Sequence, residues 1–180
     1  MAKPVGLNEM LEDFNAQVAA AMELPKCKYW QEAFLQTRDE LTFPIVDNGN
    51  LKGHQISFND AYALQSYHRV ISSITQSDPT GGKGRYPYRY RVYTIRNVWL
   101  GNIKRLPKKP FRTIDDVKNL VYEAMPVRLT NGHNIFTQNE SINTLSVLDE
   151  EFAGHDWSHL SLDIMAFYIE YELRQKIKCN

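Results

Sequence analysis

Cysteine is scarce in this chain. Cys27 and Cys179 are the only two among 180 residues, and no second pair exists to build a metal knuckle or a disulfide framework. They read as free thiols in a reducing compartment. Long apolar runs are missing too: nothing approaches the ~20 apolar residues of a membrane span, and no charged-then-apolar leader opens the chain. The expectation is a soluble intracellular protein with no membrane partner. Net charge is also absent, since 21 Lys and Arg balance 21 Asp and Glu. That sets it apart from strongly basic, dedicated nucleic-acid modules.

The balanced total hides a separation. Lys83, Arg85, Arg89, Arg91, Arg96, Lys104, Arg105, Lys108, Lys109 and Arg112 follow one another without an intervening acid. Glu140, Asp149, Glu150, Glu151, Asp156, Asp163, Glu170 and Glu172 then follow without an intervening Lys or Arg. Such polarity bears on encounter and partners rather than on fold. It suits a subunit whose basic surface meets the acidic surface of its neighbour, or a basic surface that meets nucleic acid.

At this length the chain reads as a single domain over residues 1–180, large enough to bury roughly 70% of its unfolded surface without staples. Leu7, Met10, Leu11, Phe14, Val18, Ala21 and Met22 recur at helical spacing, with Asn8 as the cap and Pro25 as the far limit. A weaker helical stretch covers Tyr29 to Leu41. Thr42 to Val46 reads as a strand that Pro44 places at an edge. Residues 47–66 look like an irregular insertion. Tyr67 to Gln76 and Tyr88 to Ile103 read as the arms of a long projecting hairpin over about 67–103, with a polar, mobile tip from Asp78 to Gly84. Thr113 and Asp116 open the clearest helix with a capping box, and Pro126 closes it. Ser141 to Ala153 and Ser158 to Arg174 read as two closing strands joined by Gly154 to Trp157. The last of these is apolar on both faces, which suits a central strand or one covered by helices on one side and by a partner on the other. The expected class is α+β: a mainly antiparallel sheet with two or three helices packed on it.

Chemical motifs are weak. Thr80-Gly81-Gly82-Lys83-Gly84 lacks the Ser or Thr and the following helix of a phosphate loop and reads as a hairpin tip. His155 and His159 would stand about 13 Å apart along a strand, too far to share a zinc ion unless a turn joined them. No Gly-x-Ser-x-Gly elbow occurs. Asp149-Glu150-Glu151 reads as a solvated acidic run. The expectation is a protein with no catalytic residues, no cofactor and no metal. The basic run is interleaved with Tyr86, Tyr88, Tyr90, Tyr93 and Trp99, where aromatics could stack on bases. Alternation splits it, however, setting Arg89 and Arg91 on one strand face with Tyr93.

The element order resembles that of tailed-bacteriophage tail-terminator and head–tail joining (neck) proteins. The residues that carry the likeness are Thr42 to Val46, Tyr88 to Ile103, Thr113 to Met125 and Leu162 to Leu173. The resemblance implies a structural virion protein forming a homo-oligomeric ring, a hexamer or larger, at the tail end or neck. Its neighbours would be tail-tube or neck proteins, with transient contact to passing DNA. On this reading Lys83, Arg85, Arg89, Arg91, Arg96, Lys104 and Arg105 form an interface or DNA-facing surface. Asp149, Glu150, Glu151, Glu170 and Glu172 form the acidic counter-surface, since rings close through unlike patches. Three alternatives stand beside it: a nucleic-acid-binding accessory protein using the basic hairpin, a component of a related contractile injection machine, and a small hydrolase or metal enzyme around His133, His155 and His159.

Overall fold

The apolar stripe from Leu7 to Met22 forms helix α1 (Leu7–Met22), which buries Met10, Leu11, Phe14 and Val18. Its amino end differs from expectation. Gly6, not Asn8, is the cap, and Glu9 reaches back to accept from the Gly6 N–H at 3.1 Å. The computed structural model describes residues 6–46, 53–57, 62–77, 89–141 and 143–177. The expected hairpin tip, with Lys83 and Arg85, lies outside them.

Seven strands follow: β1 (Cys27–Arg38), β2 (Leu41–Val46), β3 (His54–Gln55), β4 (Leu64–Ser77), β5 (Arg89–Asn102), β6 (Ile135–Ser141) and β7 (Ile164–Ile177). They form one sheet in the order β3-β2-β1-β4-β5-β7-β6. Every neighbouring pair is antiparallel except β1 with β4. Helix α2 (Ile114–Ala124) and helix α3 (Thr144–Glu151) complete the α+β architecture. No helix among the described residues is long and apolar enough to cross a membrane.

Three segments depart from the sequence reading. Tyr29 to Leu41 is not helical but belongs to β1, the turn after it and the first residue of β2. Its aromatic residues suit a half-buried strand, and pairing with β2 on one side and β4 on the other overrides the weak helical spacing. The expected strand Ser141 to Ala153 holds a helix instead: Ser141 ends β6, Asn143 accepts from the Ser146 N–H at 3.1 Å and starts α3, which buries Val147 and Leu148. The last strand starts at Ile164 rather than Ser158, so Gly154 to Trp157 connects a helix to a strand. The Thr42–Val46 strand is β2, which lies one place inside the edge formed by the two-residue β3. Pro44, without an N–H, still offers its carbonyl to the Ile56 N–H at 3.0 Å.

Helix α2 and the central strand match expectation. Thr113 and Asp116 exchange hydrogen bonds in a capping box, and the N–H groups of Arg112 and Thr113 hold the Asp116 carboxyl below its usual pKa. Strand β7 lies between β5 and β6, covered on both faces. Met165, Phe167, Ile169 and Tyr171 join the core under α1 and α2. Ala166 joins the opposite core with Tyr67, Val98, Leu100 and the α3 residues Val147 and Leu148.

The larger core contains a polar relay. Asn15 donates to the Trp30 carbonyl at 2.9 Å, so its Oδ1 accepts from His68 Nε2 at 2.8 Å. His68 Nδ1 then accepts from the Tyr171 hydroxyl at 3.0 Å. The neutral Nε2–H tautomer satisfies every group. Burial pushes the His68 pKa down to about 3 and that of Tyr171 well above its ordinary value.

Gly154 shows how closely the end of α3 meets the β1–β2 turn. Its φ is +85°, and a Cβ there would stand 2.2 Å from the Glu40 carbonyl oxygen. Gly154→Ala should therefore cost about 2 kcal/mol or more and lower Tm by roughly 4–8 °C in calorimetry. A Tm within a degree of wild type would show that this contact yields freely.

Candidate assembly surface

The acidic run was expected to face a neighbouring copy's basic run, but much of both runs pairs within one chain. Strand pairing aligns Arg69 on β4, Arg96 on β5 and Glu170 on β7 on the sheet face that α3 covers. Helix α3 presents Glu150 and Glu151 to them. Arg96 grips Glu170 through Nε at 2.9 Å and Nη2 at 2.8 Å, reaches Glu151 at 3.4 Å and also pairs with Glu150. Glu151, wholly buried, accepts from Arg69 at 2.7 Å and from the Tyr67 hydroxyl at 3.0 Å. The Arg96 guanidinium also stacks over Tyr168, 3.8 Å from the ring centroid. Burial works against the charge on Arg96, yet its bonds to Glu170 and Glu150 raise its pKa above the usual arginine range. Burial and the Glu151 carboxylate raise Tyr67 well above its ordinary value.

Arg96, Glu150, Glu151 and Glu170 are therefore a latch holding α3 to the sheet rather than two open surfaces. Lys104 is likewise paired, with Asp163 at 2.5 Å, and Glu172 bonds Arg174 at 2.8 Å. Arg105 donates to the Tyr62 carbonyl at 3.3 Å. Of the predicted residues, Arg89, Arg91 and Asp149 are exposed and have no ion-pair partner among the described residues.

Arg89 and Arg91 sit beside an open sheet edge. Strand β4 pairs with β5 along its whole length, from Leu64 opposite Gly101 to Ser77 opposite Arg89. On its other side it pairs with β1 only from Leu64 to His68, because β1 then turns away with β2. Past a bulge at Ile71, the segment from Ser72 to Ser77 has no second neighbour among the described strands. It carries no charge and no proline, the usual guards of an exposed edge. Ile71 and Ile74 are 42% and 53% exposed. Across the opposite rim, β6 pairs with β7 alone among the described strands, and its Phe136 is 45% exposed.

The β4–β5 pair does not stand alone as a projecting hairpin, since β7 accompanies β5 down to Arg89 opposite Ile177. Sequence reasoning missed Ile71, Ile74 and Phe136 as surface residues. The signal available was the run of β-branched residues on both faces of β4, which a two-sided core would also produce.

The histidines do not converge on a metal. His155 stacks on Trp157 and bonds the Thr42 carbonyl oxygen at 3.1 Å, while His133 closes a turn with Leu129. No cluster of three His, Cys, Asp or Glu among the described residues is placed to hold an ion. Compared with known proteins, the chain matches no family model and no curated protein.

Proposed function

We propose that this protein is a structural subunit that assembles into a ring, of the kind found at the tail end or head–tail neck of a tailed bacteriophage. The observation that carries the reading is the edge of β4 from Ser72 to Ser77, without a second neighbour among the described strands, beside Arg89 and Arg91, without ion-pair partners among the described residues. A β-rich edge without charges or proline is a template for pairing with another chain. The likeness in element order now rests on the leading helix, the β4–β5 pair and α2, since the expected closing hairpin is a helix followed by a strand.

The test is the mass of the purified protein by light scattering over a concentration series, at low and high salt. A hexamer or larger ring is expected, as is at least tenfold weaker assembly of an Arg89→Glu, Arg91→Glu variant whose Tm stays within about 2 °C of wild type. Unchanged assembly in that variant would remove the two arginines from the interface. A second reading, nucleic-acid binding, is favoured by the exposed Lys108, Lys109 and Arg112 of the connector before α2. It requires a monomer that binds DNA with an affinity falling steeply as salt rises.

A further inference from the structure

We infer that the open edge of β4 receives strand β6 of the next copy, so that the sheet continues from subunit to subunit. The inference rests on the ring reading and names its contact. Going across the sheet, β4, β5, β7 and β6 alternate in direction. The outermost β6 therefore already runs antiparallel to β4. Copies placed side by side in one orientation meet as an antiparallel pair, which is the arrangement rotation about a single axis repeats into a ring. A two-fold dimer would instead use one edge twice.

The two edges match in length and in face. Strand β6 has its own bulge between Thr137 and Asn139, which leaves six regular residues, and β4 offers six from Ser72 to Ser77. Pairing runs from Ile135 opposite Ser77 to Thr137 opposite Thr75. Past the bulge it resumes with Asn139 opposite Ile74 and ends with Ser141 opposite Ser72. At every rung the two residues lie on the same face of the sheet, as strand pairing requires. Phe136 becomes a diagonal neighbour of Ile74, covering two half-exposed apolar side chains with each other. On the opposite face Glu140 stands opposite Ser73, on the same side of the sheet as Arg91, which lies one strand further in beside Thr75 and has no ion-pair partner among the described residues. Glu140 is bound only at 3.2 Å by Lys118, with its side chain 42% exposed.

The register also carries a stagger. Within one chain Ile135 stands level with Ser73, through Leu173 and Tyr93. In the junction it stands at Ser77, four residues further, or about 13 Å. Such an offset tilts the strands against the ring axis, as closure of a sheet into a barrel demands.

Cysteine pairs test the contact. In a Cys27→Ser, Cys179→Ser background, Thr75→Cys and Thr137→Cys both lie at exposed positions and should leave folding intact by circular dichroism. Under oxidation each single variant should stay monomeric on a denaturing gel, an equimolar mixture should give a dimer, and the double variant a ladder. Dimers from Thr75→Cys alone would show β4 pairing with itself and overturn the inference. An absent ladder in a preparation that scatters light as a ring would also overturn it, leaving the ring reading intact. A strict monomer at every concentration would remove both.

Discussion

Arg96→Met should lower the unfolding free energy by about 3–5 kcal/mol, read from urea titrations, because it keeps the aliphatic stem but leaves buried carboxylates short of a counter-charge. Glu151 is wholly buried and Glu170 nearly so, with 13% of its side chain exposed. Losing Arg96 leaves Glu151 with Arg69 and Tyr67, and leaves Glu170 without an ion-pair partner among the described residues. Arg91→Met is the control. Exposed and without an ion-pair partner among the described residues, Arg91 should change stability by less than about 0.5 kcal/mol, while assembly weakens. A loss below 1 kcal/mol for Arg96→Met would mean that the cluster does not hold α3 in place. Equal effects of the two variants would erase the distinction between latch and open edge.

The second large effect concerns acid. His68 has a folded pKa near 3 against an ordinary value of 6.5. Between those values the unfolded chain binds a proton that the folded chain refuses. Its contribution to stability is therefore complete above pH 6.5 and lost progressively as pH falls toward 3. The slope approaches about 1.4 kcal/mol per pH unit in the middle of that window. Urea midpoints measured from pH 8 to pH 4.5 should drop accordingly. His68→Gln can still donate to Asn15 and accept from Tyr171, but it cannot titrate. It should cost about 1–3 kcal/mol at pH 8 and flatten the acid slope by about one proton. Identical slopes for the two proteins would rule out His68 as the titrating group.

Much of the frame was legible from residues alone. Helix α1 followed from an apolar stripe, α2 from the exchange between Thr113 and Asp116, and the central place of β7 from apolar residues on both its faces. The antiparallel pairing of β4 with β5 was legible as well. The misread segments share a cause. Tyr29 to Leu41 and Ser141 to Ala153 have weak local patterns, and long-range pairing decided the first while the Asn143 cap decided the second. The parallel contact of β1 with β4 left no mark in the sequence. It nevertheless determines where β4 loses its outer neighbour and hence where the edge opens.

The charge pattern was legible as a separation but not as a destination. Two runs of opposite sign, one before α2 and the other after it, fit an intermolecular contact and an internal one equally well. Strand order decides between them, because β5 and β7 are neighbours and Arg96 falls opposite Glu170. Arg89 and Arg91 escape because the β7 residues opposite them, Ile177 and Gln175, carry no charge.

Strand order also has a consequence for synthesis. Among the described strands β7 is made last, yet it occupies the place between β5 and β6, and β6 pairs with no other of them. While the ribosome is still short of residue 164, β6 lacks the strand it pairs with, and β5 lacks its neighbour on that side. The rim that would meet another copy is therefore built last. A nascent or truncated chain lacks it, so on the proposed junction such a chain would have no β6 rim to offer the next copy.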